Sequence, residues 1–110
     1  MKEYLPTEKL VKVFNEVTAS MADTFERKNT DYGNSFFESL DKRGLVAALV
    51  RLEDKFNRLD SLKDKDAKVK DESMIDTCLD AANYFVMTAM WLSGRVTDNV
   101  RNNVITENKN

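Results

Sequence analysis

The stretch from Asp71 to Leu92 contains the longest charge-free run of this chain and has the spacing of a helix. Residues 81–94 carry no charge, whereas Asp76 and Asp80 lie four residues apart and therefore project from one helical face. An apolar stripe runs beside these acids: Ile75, Leu79, Ala82, Val86 and Met90. The stretch predicts a helix over about 73–93. Its two acids lie beside a buried apolar stripe, so they need cations to balance their charge.

Two more helices are predicted at about 7–28 and 45–62, with a short helical turn near 35–40 and a weak C-terminal helix after residue 95. The predicted core stripe of the second long helix is Leu45, Leu49, Leu52, Phe56 and Leu59. Three glycines and one proline leave little room for the turns of an all-β fold. We therefore predict an all-α bundle of three main helices.

The connections complete this organisation. The sequence Lys28–Ser35 clusters Asn, Asp and Gly, which predicts a loop, and Ser61–Lys70 predicts a charged, solvated connector. We expect one all-α domain over 1–94 and a polar C-terminal extension over 95–110. Val46 and Val50 lie outside the core stripe of their helix, which favours contact with a second subunit in a homodimer or tetramer.

The composition of the chain limits which kinds of catalytic and metal sites it can form. A net charge of −2 argues against the basic surface that binds a nucleic-acid polymer. The same charge is compatible with binding a nucleotide that brings its own Mg²⁺. The absence of histidine and the single cysteine exclude Ser-His triads and zinc sites built from Cys or His. Cys78, inside a helical pattern, is predicted to be a core residue. Carboxylates remain, and they favour Mg²⁺ or Mn²⁺.

Neither a secretory signal nor a membrane span is visible. The N-terminal MKEYLPTEKL has no apolar run, and the charge-free run 81–94 is shorter than the roughly 18 residues typical of a transmembrane helix. We expect a cytoplasmic protein without a membrane partner.

The charged residues allow two interpretations. In the first, the basic stripe of the second helix (Arg51, Lys55, Arg58) pairs with Asp76 and Asp80 and holds the helices in register. In the second, Asp54, Asp76 and Asp80 hold Mg²⁺, which retains waters and bridges to phosphates. Lys28, Arg51, Lys55 and Arg58 would then neutralise a polyphosphate. Tyr32 stands beside a flexible glycine, and its ring either lies against the nucleobase of a bound nucleotide or packs on its own loop.

Three ordered blocks resemble a known family. They are Lys28–Ser35 (KNTDYGNS), Arg51–Leu59 (RLEDKFNRL), and Asp71–Ser73 with Asp76-Thr77 and Asp80–Tyr84 (DAANY). Together they are similar, over about 22–92, to the nucleotide-modification-associated domain family of phages, prophages and bacteria. That family resembles the MazG-type all-α pyrophosphohydrolases, which use Mg²⁺ to cleave NTPs or dNTPs to monophosphate and pyrophosphate.

The resemblance implies roles for particular residues. It implies that Glu72, Asp76 and Asp80 are catalytic, that Asp54, Asp76 and Asp80 are metal ligands, and that the nucleotide is bound by Lys28, Asn29, Asp31, Tyr32, Arg51, Lys55, Arg58 and Asn83. The chain departs from the MazG pattern where Arg51 occupies the position of the first acid of the ExxE pair. That cation favours a single Mg²⁺, or direct contact between arginine and phosphate.

Three functional hypotheses follow. The first is a Mg²⁺-dependent nucleoside triphosphate pyrophosphohydrolase in phage nucleotide metabolism or modification. The second is a nucleotide- or signal-binding accessory protein without catalysis, which Arg51 favours. The third is a structural helical oligomer whose charged residues form an ion-pair network.

Overall fold

The computed structural model describes residues 2–98, with the side chains of residues 67–70 left aside. Within this part of the chain there are four α-helices and no strand: α1 (Thr7–Tyr32), α2 (Ser35–Arg43), α3 (Val46–Leu62) and α4 (Ala67–Leu92). The all-α prediction is confirmed. None of the helices in the described residues is both long enough and apolar enough to cross a bilayer. The weak helix predicted after residue 95 falls largely on residues 99–110, which lie outside the described residues.

The loop predicted for Lys28–Ser35 is wrong over most of its length, because α1 continues to Tyr32. A polar side chain there forms its hydrogen bond within the helix: the Thr30 hydroxyl donates to the Glu26 carbonyl at 2.7 Å. The helix ends at Gly33, whose φ of 68° lies in the left-handed region that glycine tolerates best. The backbone N–H of Gly33 donates to the carbonyl of Asn29 at 2.8 Å.

The helix α4 begins earlier than predicted, at Ala67, inside the segment expected to be a solvated connector. Its C-terminus is closed as expected by Gly94, whose φ is 74°. The N–H of Gly94 donates to the carbonyl of Trp91, and the N–H of Arg95 donates to that of Met90. These two bonds form a Schellman motif, which satisfies carbonyls that the helix end would leave without partners.

The chain divides into two compact units, Met1–Gly33 and Asn34–Asn110. The first contains α1, on which Leu10, Phe14 and Val17 are exposed. The second contains α2, α3 and α4. A single domain over 1–94 stays a prediction.

In the second unit, α3 packs along α4 and the short α2 packs against both. Leu40 of α2 is fully buried. The ring of Phe36 meets that of Tyr84 edge-on at a centroid distance of 4.9 Å. Trp91 Nε1 donates a hydrogen bond of 2.9 Å to Asp41 Oδ1. These contacts fix α2 on one side of the α3–α4 pair.

The predicted core stripes of α3 and α4 are partly wrong. Leu45 at the N-cap of α3 is exposed, as are Leu49 and Phe56 within α3 and Ile75 and Val86 on α4. Cys78, predicted to be a core residue, is also exposed. The buried faces carry smaller or differently placed side chains, among them Ala48, Leu62, Thr77 and Thr88. Each helix therefore has two apolar faces, of which the described residues of the second unit bury only one.

Candidate functional site

An ion pair between α3 and α4 marks the charged side of the second unit. Lys55 Nζ lies 3.5 Å from Asp80 Oδ2, and the two side chains retain 27% and 34% of their full exposure. This pair confirms one contact of the ion-pair interpretation. Because both side chains remain partly hydrated, the pair contributes no more than about 0.2–1 kcal/mol to stability. A charged ligand can compete with an interaction of that size.

More charges flank this pair. The helices α3 and α4 are consecutive and closely packed, so they run antiparallel, and the pairing of Lys55 with Asp80 sets their register. Arg58 therefore lies near the level of Asp76, and both are exposed. Among the described residues, neither Arg58 nor Asp76 forms an ion pair. We call these four residues (Lys55, Arg58, Asp76 and Asp80) the polar face.

The acidic side of the polar face extends along α4. Glu72 is exposed one turn before Asp76, and Asn83 is half-buried one turn after Asp80. The buried Thr77 between them donates its hydroxyl to the Ser73 carbonyl at 2.7 Å, so it offers no donor to a ligand. The ladder predicted from spacing is therefore present on one face of α4.

Arg51 and Asp54 lie beside a different feature, a groove of about 220 Å³ between α2 and α3. Its lining residues are Ser39, Arg43, Val46, Ala47, Val50, Arg51 and Asp54. Arg43 and Ser39 did not emerge from sequence reasoning. The only signal for Arg43 is a basic residue in the last turn of α2, next to Gly44.

The three predicted metal ligands are not gathered into one group. Within the described residues, no set of three or more His, Cys, Asp or Glu side chains lies close enough to share a metal ion. Asp54 lines the α2–α3 groove, whereas Asp76 and Asp80 belong to α4. A metal bound at the polar face would therefore rely on one or two carboxylates, with phosphate or water oxygens completing its shell.

The remaining predicted contacts lie in the first unit, in the last turns of α1 rather than in a loop. Lys28, Asp31 and Tyr32 share one side of that helix because they are three and four residues apart. Asn29 projects next to them and is half-buried. Tyr32 is 73% exposed, so its ring is not packed into a core.

Comparison with models of protein families assigns the chain to one family. The model of the family described as nucleotide modification associated domain 1 matches residues 28–92, more than half of the 110 residues, so the chain belongs to that family. The match contains the end of α1 and all of α2, α3 and α4. Searches of curated proteins and of solved structures find no match.

Proposed function

We propose that this chain, as a member of the nucleotide modification associated domain 1 family, binds a nucleoside polyphosphate through its phosphates on the polar face. The observation that carries the proposal is the partly hydrated Lys55–Asp80 pair at 3.5 Å, with a further cation and a further acid exposed beside it. Mixed charges of this kind suit a ligand that brings both phosphate and Mg²⁺.

The cationic side would hold the phosphates. Arg58 is one turn from Lys55 on α3, so both head groups can reach neighbouring anionic groups. The guanidinium of Arg58 can donate two parallel hydrogen bonds to one phosphate. Hydrogen bonds to charged groups contribute about 1.5–3 kcal/mol, which exceeds the roughly 0.2–1 kcal/mol of an exposed ion pair. Lys55 can therefore leave Asp80 for a phosphate, or bind both at once, at a small cost in free energy.

The acidic side fits a Mg²⁺ ion that arrives with the nucleotide. Mg²⁺ is commonly held by one or two carboxylates together with phosphates and waters. Asp76 and Asp80, one turn apart, are the carboxylates that we propose for this role, with Mn²⁺ as a substitute. Asp54, the third predicted ligand, does not join them in a three-acid group. A metal cage made only of protein side chains therefore does not fit the described residues.

Hydrolysis is the second candidate function, and the exposure of Asp76 favours it. This carboxylate forms no ion pair among the described residues, and Glu72 lies exposed one turn away, so either can accept a proton from water. In a MazG-like reaction the water oxygen would bond to the α-phosphorus while the bond from that phosphorus to the bridging oxygen breaks. Pyrophosphate leaves, the nucleoside monophosphate remains, and the carboxylate takes the proton. Bound Mg²⁺ would neutralise charge on the phosphates.

A thermal-shift screen of NTPs, dNTPs and cyclic nucleotides, with and without Mg²⁺, tests binding. The expected result is stabilisation by a nucleotide that is lost in Lys55→Ala and Arg58→Ala. Lys63→Ala is the matched control, because Lys63 is also an ion-paired lysine at the surface of the second unit but pairs with Asp60 and Asp64. No shift with any nucleotide, or equal loss in the control, would overturn the proposal.

Measuring pyrophosphate release separates the two candidates. Mg²⁺-dependent release that disappears in Asp76→Asn or Asp80→Asn supports hydrolysis. Binding without release supports an accessory protein that holds a nucleotide without cleaving it. If neither binding nor release occurs, Lys55–Asp80 is a structural ion pair.

A further inference from the structure

The outward side of α4 carries a regular apolar seam that the described residues of the second unit leave exposed. Its residues recur at steps of three, four, three, four and three, the spacing of a coiled-coil seam: Ile75, Cys78, Ala82, Phe85, Ala89 and Leu92. Ala82 is half-buried and the other five are exposed. At 1.5 Å per residue the seam extends along about 26 Å of the helix.

The seam lies on the side of α4 that faces away from α2. Tyr84 and Trp91 make the ring contact and the hydrogen bond to α2, and the seam positions lie between about a quarter and a half of a turn from them around the helix. On α3, Leu45, Leu49 and Phe56 likewise point away from the groove that α3 forms with α2. Because α2 occupies one side of the α3–α4 pair, these residues and the seam share the other side. We call this combined surface the outer face.

The outer face approaches the size of a stable interface. Its six large side chains are exposed by 46% (Leu45) to 72% (Phe56). At roughly 100 Å² of exposed area apiece they present about 600 Å² before the small residues are added. That value is at the top of the range for the largest apolar patch of a monomer, roughly 300–600 Å². It also approaches the roughly 800 Å² that each partner buries in a standard interface.

We propose that the outer face binds a second copy of this chain, with the two α4 helices antiparallel about a two-fold axis. The seam complements itself in that arrangement. Centring the axis between Ala82 and Phe85 sets Phe85 against the small Ala82 of the partner subunit. Cys78 then faces the partner's Ala89, and Ile75 faces the partner's Leu92. Small residues opposite each other let the two helices approach closely, and each Phe85 ring packs into the space above the partner's Ala82.

Charge supports the same pairing. The seam runs into a segment without charges (81–94), so its middle brings no like charges together. Lys68 and Lys70 stand in the first turn of α4, Asp71 and Glu72 follow in its second turn, and Arg95 comes after its C-terminal end. An antiparallel arrangement places the acids of one copy near the arginine of the other, whereas a parallel arrangement places the acids together.

The dimer is independent of nucleotide binding. Asp76 and Asp80 lie on the opposite side of α4 from the seam, so pairing through the outer face leaves the polar face accessible. Failure of one proposal does not affect the other, since the first is measured by molar mass and the second by ligand binding.

The molar mass in solution, from light scattering or sedimentation equilibrium, tests the proposal. The wild type is expected at twice the 12.6 kDa of one chain. Phe85→Glu places a charge in the seam and is expected to weaken association by at least about 30-fold, the effect of a hot-spot residue. Val50→Glu is the control, because Val50 is similarly exposed but lines the α2–α3 groove, so the proposed interface does not include the subunit contact that the sequence predicted for Val50. A monomeric wild type, or a dimer that Phe85→Glu leaves intact, overturns the proposal.

Disulfide trapping tests the orientation and does not depend on the behaviour of Phe85→Glu. In an antiparallel pair Cys78 lies against position 89 of the partner, so Ala89→Cys is expected to give a covalent dimer under mild oxidation. Adding Cys78→Ser should abolish it, and Val50→Cys should not produce it. Cross-linking of the wild type through Cys78 alone would indicate parallel helices and overturn the antiparallel arrangement, as would no cross-link in Ala89→Cys.

Discussion

Uncoupling Lys55 from Asp80 tests the geometry of the polar face. At 3.5 Å, Coulomb's law gives about 1.2 kcal/mol at the dielectric constant of water and about 5 kcal/mol at an effective value of 20. The side chains retain 27% and 34% of their exposure, so the lower value is the better guide, and ordering both side chains reduces it further. We expect a coupling free energy of about 0.5–1 kcal/mol.

The assay is a double-mutant cycle with Lys55→Met, Asp80→Asn and the combined variant, measured by urea unfolding at one fixed protein concentration. Other contacts of Asp80 cancel in the cycle. The exposed Lys63–Asp60 pair, at 2.8 Å with 56% and 68% exposure, is the control and should couple more weakly, although it is shorter. The coupling should decrease in high salt. A coupling of Lys55 and Asp80 below about 0.2 kcal/mol would show that the two side chains do not form a stabilising ion pair.

Three further perturbations test the fold. Leu40→Ala should destabilise the protein by about 2–5 kcal/mol because Leu40 is fully buried, and denaturant unfolding showing less than about 1 kcal/mol would contradict its place in the core. Trp91→Phe, which keeps the ring but removes the donor to Asp41, should cost about 0.5–1.5 kcal/mol, and an unchanged midpoint would argue against that hydrogen bond. Gly94→Ala should cost about 1 kcal/mol because the φ of 74° is unfavourable for alanine, and a stabilised variant would contradict the Schellman motif.

Sequence patterns predicted the helices because their apolar spacing is regular, but they placed the end of α1 too early. Asn, Thr and Asp near Lys28 are typical of turns, and this preference suggested a loop. In the structure the Thr30 hydroxyl bonds to the carbonyl of Glu26, so these residues extend the helix until Gly33. Local composition does not decide between a loop and one more helical turn when side chains satisfy themselves within the helix.

The core was harder to predict than the helices. Leu49 and Phe56 have the spacing of a core stripe, yet they are exposed, whereas Ala48 is buried. A helix with two apolar faces gives no sequence signal for which face the same chain covers, because a partner satisfies the same pattern. If the outer face binds a second copy, only part of each predicted stripe belongs to the dimer interface: Leu45, Leu49 and Phe56 near or on α3, and Ile75 and Ala82 on α4.

The candidate site was predicted in part. The four-residue spacing of Asp76 and Asp80 placed both on one face of α4, and the basic stripe of α3 supplied the observed partner Lys55. Spacing along one helix did not reveal that Asp54 lines a groove with α2, since that depends on where a separate helix packs. The contribution of Arg43 to the groove was missed for the same reason.

Titrating a nucleoside triphosphate with Mg²⁺ into isotope-labelled protein, followed by NMR, tests the central claim most directly. If the nucleotide binds on the polar face, the amide and side-chain signals of Lys55, Arg58, Asp76 and Asp80 shift saturably, and Lys55→Ala weakens this response whereas Lys63→Ala leaves it unchanged. Spectra that stay unchanged at saturating nucleotide, or shifts confined to other surfaces, would contradict it.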